Sequence, residues 1–337
     1  MAPLPPPEPA PPPAPSATEA GVKGWQDFQL EQATTCVGAA DEVMAAPAEW
    51  THEGFRYRIE GGRAGLSRVD ASPHPGVIKL GVVSGIKEPD PATLKVLEGF
   101  LATFAEAKVD AVLVGGDSGF SGMELEKVFR ALGQSGLPIL AIAGNNESRS
   151  KYNRALRAVS ADHPNVLNQD IVRVVQGQGF GVVSLPGYHL KAFASTSASC
   201  VHDDDDIKAL EALLASVEGE RVLLSHGPPK QQGKAGTDWV DQATGNVGNE
   251  LLTRVLQKSK PRLTVTGHIL ESGLRATDAK GKPAAPGKPQ GALVLNPGQV
   301  SALPYQLSSG QVIHGTGALV TVQGGKIHWK ILEGPKP

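Results

Sequence analysis

The sequence predicts an α/β protein of the α+β type, a four-layer sandwich in which two mixed β-sheets lie face to face, flanked by helices. Three observations lead there. Between Val77 and Gly144, three apolar strand runs alternate with two helical patterns, the βαβαβ order of a parallel sheet. From Asn165 onward, eight more strand runs follow, too many for one doubly wound sheet. Helical patterns at 204–217 and 247–258 remain to cover the outside of a second sheet.

The elements follow in chain order. Nine of the first fifteen of the 337 residues are proline. So Pro/Ala-rich a segment cannot bury a core, and residues 1–20 are expected as a disordered tether. The tether has neither the basic start nor the apolar run of a signal peptide. It fits an exported envelope or periplasmic protein whose leader has been removed, with a lipid anchor upstream of the prolines; the alternative is a cytoplasmic protein. Residues 21–75 carry short alternating pieces such as "FRYRIEGG" and are expected as a small β-rich extension. The main domain is expected over 76–333. There "VIKLGVV" is a buried strand, and Asp90 with Pro91 opens a helix as N-cap and first residue. "AVLVGG" is the next strand, Ser121 and Glu124 form a capping box before a second helix, and "LPILAIAG" is the third strand. The later strands are "NVLN", "IVRVVQ", "FGVVSLP", "RVLLS", "RLTVTG", "ALVLN", "ALVTVQ" and "KIHWKIL". The acidic run Asp203 to Asp206 suits a helix N-terminus, where negative charge is favoured.

Composition excludes some functions. A net charge of −2 argues against a general nucleic-acid or membrane-surface binder. No apolar run reaches the roughly 20 residues of a membrane span. Cys36 and Cys200 are too few for a disulfide framework; they form one bond in an oxidising compartment or are two unrelated thiols.

Chemistry gathers at the strand ends, where open α/β sheets bind ligands. "GDSG" at 116–119 imitates the nucleophile segment of a serine protease. It ends a strand in a βαβ unit, however, with no upstream His and Asp in β context, so Ser118 is read as a turn residue. Asp117 is the residue of interest. Other strand ends carry Asn145, His226 and His268. Two imidazoles, one carboxylate and one amide carbonyl suit Zn, Mn or Fe.

The ordered series Gly85-Ile86-Lys87, Gly116-Asp117, Gly144-Asn145-Asn146-Glu147, His226 in "LLSHGPP", Gly267-His268-Ile269-Leu270 and "NPG" at 296–298 resembles the calcineurin-like metallophosphoesterase family. The resemblance covers residues 77–332 and implies a dinuclear metal centre between two sheets. It also exposes departures. Where the family reads Asp-x-His, this chain has Gly85 and Lys87; where it ends Gly-His-x-His, this chain has Leu270. Of the four ligands the resemblance implies for the first metal, Asp117 alone remains. The four implied for the second, Asp117, Asn145, His226 and His268, are all present. One divalent transition metal is therefore expected, and no second.

The family's Gly-Asn-His histidine, which serves the transition state or leaving group, is Asn146 here. An amide donates a hydrogen bond but is no acid near pH 7. Lys87 either brings its ammonium into the vacated metal position or faces solvent. A slow mononuclear phosphoesterase on a phosphorylated small molecule is expected; the alternative is a non-catalytic module for an unknown protein ligand. Residues 228–248 are expected as a loop beside the site.

Overall fold

The structure is a computed structural model that describes residues 17–70 and 76–334. Of the disordered tether expected over residues 1–20, residues 1–16 lie outside the described residues, and residues 17–20 are instead the start of a helix.

The chain opens with helix α1 (Ala17–Glu31) and three antiparallel strands, β1 (Ala48–His52), β2 (Phe55–Glu60) and β3 (Arg63–Arg68). Then come β4 (Val77–Val83), α2 (Pro91–Ala107), β5 (Ala111–Val114), α3 (Gly122–Gly133), β6 (Ile139–Ala141), α4 (Arg149–Val159) and β7 (Val166–Asn168). The second half contains β8 (Val174–Gln176), β9 (Phe180–Leu185), α5 (Asp204–Ala215), β10 (Glu220–Ser225), α6 (Glu250–Ser259) and β11 (Leu263–Val265). It closes with β12 (Arg275–Thr277), β13 (Leu293–Asn296), the ribbon β14 (Tyr305–Gln306) and β15 (Val312–Ile313), and the hairpin β16 (Thr316–Gln323) and β17 (Lys326–Glu333).

One sheet runs β17-β16-β4-β5-β6-β7, parallel from β4 to β7 with the closing hairpin antiparallel to β4. The other runs β1-β2-β3-β8-β9-β10-β11-β13-β12. Alternation along each strand assembles three layers of core. Ala111 and Leu113 of β5 point between the sheets, where they join Leu80, Val182, Leu224 and Val265. Val112 and Val114 point the other way, against Leu97, Phe104 and Phe129 of α2 and α3. Helices α5 and α6 cover the far sheet through Leu210, Leu214, Val255 and Leu256. This is the expected four-layer sandwich.

Caps hold the helix starts as the residue types require. Asp90 accepts from the backbone of Ala92 and Thr93, and Ser121 and Glu124 satisfy each other's backbone N–H. The acidic run does the same for α5, with Asp203 accepting from Asp205 and Asp206.

The structure departs from expectation at the N-terminal segment. Residues 21–75 do not form a small β-rich unit alone: the segment opens with α1, which begins at Ala17, and β3 pairs with β8, so its strands extend the larger sheet. Trp25 and Trp50 are buried with ring centroids 6.4 Å apart, and Trp50 stacks on Tyr57 at 5.3 Å. Those aromatics give the segment its anchorage. Helix α4 was also not expected. Its sequence RSKYNRALRAV is largely polar, yet Tyr152, Leu156 and Val159 are buried along one face. Cys36 and Cys200 form a disulfide, their Cα atoms 5.2 Å apart.

Candidate metal centre

Asp117 follows β5, Asn145 follows β6, His226 follows β10 and His268 follows β11. The two sheets bring these strand ends to one edge, where backbone bonds cross between them. Gly187, after β9, donates to the Ala143 carbonyl at 2.9 Å, and Gly267 donates to the His226 carbonyl at 2.9 Å. Glycines let the loops close in. A Cβ on Gly144 would lie 2.3 Å from Asp117 Oδ1, and one on Gly116 would lie 2.6 Å from His226 Nδ1. Lys87, Asp117 and His268 all hold left-handed backbone, with φ of 59°, 56° and 59°. Strain of this kind in non-glycine residues costs about 1–3 kcal/mol each and gathers at functional sites.

The side chains present acceptors to one another. His226 is fully buried; its Nδ1 lies 2.8 Å from the Gly115 carbonyl, so that nitrogen carries the proton. Its Nε2 then faces Asn145 Oδ1 at 2.8 Å and Asp117 Oδ1 at 3.5 Å. The Asn145 amide cannot turn over to help, because its Nδ2 donates to the Phe193 carbonyl at 2.5 Å. Asp117 Oδ1 is buried without a hydrogen-bond partner. A lone pair and two oxygens thus converge with no donor among them. A metal ion, or a second proton on Nε2, satisfies that arrangement.

His268 lies beside the group. Its ring centroid is 5.2 Å from that of His226 and 3.9 Å from Tyr188, with Phe193 edge-on at 6.0 Å. Burial, then the neighbouring His226, His189 and Lys87, hold its pKa well below the usual histidine value. The neutral ring is the form that ligates. Among the described residues no three His, Cys, Asp or Glu side chains stand close enough to hold a metal ion together, Asp117, His226 and His268 included.

Glu147 braces the site, a role its place in the Gly144–Glu147 run did not reveal. It is fully buried; Oε1 accepts from the Ser118 N–H and Oε2 from Gly144 at 2.9 Å. One carboxylate therefore ties the Asp117 loop to the Asn145 loop. Burial, and then the charge of Asp117, push its pKa well above the usual carboxylate range. Ser118 is fully buried and its hydroxyl has no partner, which leaves it without a base.

Lys87 and Asn146 are half-buried beside these residues. The Lys87 N–H donates to the Asp117 carbonyl at 2.9 Å, while among the described residues its ammonium makes no ion pair or hydrogen bond. Asn146 turns its Oδ1 to the Ser195 hydroxyl. Residues 228–248 form a loop organised by Asp238, which accepts from Gln231 and Gly248. It meets the site where Val247 accepts from the Tyr188 hydroxyl at 2.9 Å.

Residues 78–323 match the family model of the calcineurin-like phosphoesterase superfamily domain, nearly three quarters of the chain. The chain belongs to the calcineurin-like phosphoesterase superfamily. Its fold is similar to that of TT1561 from Thermus thermophilus, with a TM-score of 0.51 and 16% identity over 75% of this chain and 98% of that one. A dimetal phosphatase from Danio rerio aligns at a TM-score of 0.48 and 13% identity, over 77% of this chain and 99% of that one. In sequence, a geranylgeranylglyceryl phosphate synthase from Aeropyrum pernix is 27% identical over 203 residues, 54% of this chain and 80% of that one. That identity does not assign the chain, whereas the family model spans the strand ends from β4 to β16.

The family is one of metal-dependent phosphoesterases, and the converging acceptors of Asp117, Asn145 and His226 fit a metal ion. Gly85 has φ of 62°, and a Cβ there would meet Gln299 Cβ at 3.1 Å and Leu270 Cδ2 at 3.7 Å. Gln299 is buried and fixed by its Nε2, which donates to the Leu303 carbonyl at 2.8 Å. A Cβ at position 85 would thus press on Gln299 and touch Leu270 at ordinary contact distance. Gln299 carries no motif, so sequence reading missed it.

Proposed function

We propose that this chain binds one divalent transition metal, Mn, Fe or Zn, through Asp117, Asn145, His226 and His268, and is at most a slow mononuclear phosphoesterase acting on a phosphorylated small molecule. The convergence of His226 Nε2, Asn145 Oδ1 and the unpartnered Asp117 Oδ1 carries the reading. When bound, the ion polarises a phosphoryl oxygen and lowers the pKa of a water. Asp117 supplies the negative charge that holds it, and Gly115 fixes the His226 tautomer. Lys87, without an ionic partner among the described residues, is available to a phosphate oxygen. Asn146 can donate a hydrogen bond to a leaving group but cannot protonate it, a loss of about 10²–10⁴-fold. The packing of Gln299 and Leu270 against Gly85 supports a single ion.

That same packing favours a second reading, a non-catalytic module that retains the metal to bind a ligand. Elemental analysis of metal-loaded protein separates these from their rivals. One equivalent that disappears in Asp117→Ala and His268→Ala supports the site; two equivalents, or none, overturn it. Turnover of an aryl phosphodiester then chooses between the readings. A gain in Asn146→His supports the enzyme, and no gain with the metal retained supports the binding module.

The Cys36–Cys200 disulfide supports residence in an oxidising compartment, the exported rather than the cytoplasmic alternative.

A further inference from the structure

The disulfide reaches the metal centre through one loop. Cys200 is fully buried and closes the segment 187–200, which leaves β9 and folds back over the site. At its start, the Tyr188 N–H donates to the Cys200 carbonyl at 3.3 Å, and the Tyr188 ring lies 3.9 Å from His268. At its middle, the Phe193 carbonyl takes the Asn145 Nδ2 at 2.5 Å, and the Ser195 N–H donates to the Asn145 carbonyl at 3.1 Å. The Ser195 hydroxyl holds Asn146, and the Ala198 carbonyl accepts from the Arg149 N–H at 3.0 Å. The bond to Phe193 is what turns Asn145 Oδ1 towards His226.

The other end of the disulfide is firmly held. Asn153 Nδ2 donates to the Thr35 carbonyl at 2.8 Å, the Gly38 N–H donates to Asp170 at 2.7 Å, and buried Arg173 donates to the Gly38 carbonyl at 3.0 Å. Cys36 therefore belongs to the rigid body, and the disulfide fastens the 187–200 loop to it across 164 residues of sequence.

We propose that the Cys36–Cys200 disulfide is a redox-linked positioning device for the metal centre: opened, it releases the loop that orients Asn145, and the site loses affinity for its ion. The proposal rests on the metal reading given above. The step is thiol–disulfide exchange with a dithiol. Two thiols of the reductant become one disulfide, and their two electrons and two protons convert Cys36–Cys200 to two free thiols. Second-shell partners of this kind are worth about 10–100-fold in metal affinity.

The test is titration of the full chain with Co²⁺, followed by the visible absorption of the bound ion. It is run on the oxidised protein, on protein reduced with dithiothreitol and freed of reductant, and on the same sample after reoxidation. A free-thiol count confirms opening. The expected result is about 10–100-fold weaker Co²⁺ binding with two thiols exposed, a changed absorption band, and recovery of both on reoxidation. A Cys36→Ser/Cys200→Ser double variant should match the reduced protein; if it does not fold, the reduced wild type decides. Leu213→Ala in the α5–α6 layer controls for general destabilisation and should bind Co²⁺ as the wild type does. Equal affinity in the oxidised and opened forms overturns the positioning role alone. No Co²⁺ binding by the oxidised wild type overturns the metal reading, and the positioning role with it.

Discussion

His226 Nε2 and Asn145 Oδ1 stand 2.8 Å apart, each locked in place by a bond on its other side, the first from Gly115 and the second from Phe193. A ring nitrogen that can only accept faces an oxygen that can only accept. Removing the oxygen should therefore relieve the apoprotein and cripple the loaded one. Asn145→Ala is expected to weaken Mn²⁺ or Co²⁺ binding by at least about tenfold, while Asn145→Asp retains it. Isothermal titration checks this; unchanged affinity in Asn145→Ala would remove Asn145 from the donor set.

Restoring the residues typical of the family should fail at position 85. Gly85→Asp places a side chain against Gln299 in left-handed backbone, for a cost of about 1–3 kcal/mol. The quadruple variant Gly85→Asp, Lys87→His, Asn146→His, Leu270→His should gain no second metal equivalent unless Gln299 is also reduced to glycine, which removes the Cβ in contact. Elemental analysis of both variants tests it. A second equivalent bound with Gln299 intact would show that the packing yields easily.

Glu147 satisfies two buried backbone donors from two loops. Glu147→Ala orphans both, at about 1–3 kcal/mol each. The variant should unfold at clearly lower urea, with a stability loss of at least about 2 kcal/mol. An unchanged urea midpoint would mean that the loops hold without the brace.

His202 sets a pH dependence. It is buried, and burial lowers its pKa from 6.5 to about 4, opposed by the bond of Nδ1 to the Pro186 carbonyl at 2.8 Å; His189, Arg173 and His226 add smaller lowering effects. Between pH 6.5 and about 4, the unfolded chain binds a proton that the folded chain refuses. Stability from the neutral ring is therefore complete above pH 6.5 and falls as pH drops through that window, by at most about 3 kcal/mol. Thermal melts of wild type and His202→Gln over about pH 4–7 should show a shallower slope in the variant. Parallel slopes would exclude His202 as the source.

Much of the fold was legible because its signals are local. Strand runs such as "VIKLGVV" and "AVLVGG", the Asp90–Pro91 start and the Ser121–Glu124 box are each read within a few residues. Helix α4 was not legible, because its burial comes from packing on α3 and α1 rather than from an apolar sequence. The choice between a Cys36–Cys200 bond and two free thiols likewise needed the distance between segments 164 residues apart.

The sequence alone determined the side chains and their order at the strand ends, Asp117, Asn145, His226 and His268, because buried parallel strands end at a common edge. Tertiary structure decided what those donors face. Asn145 and His226, 81 positions apart, meet acceptor to acceptor only because Gly115 and Phe193 hold them so. Position 85 is a second case: a Cβ there would meet Gln299 and Leu270, distant in sequence, while the Lys87 ammonium makes no ion pair or hydrogen bond among the described residues. Periodicity in a chain records which face a residue takes; contacts between distant loops are set by packing, and no local pattern encodes them.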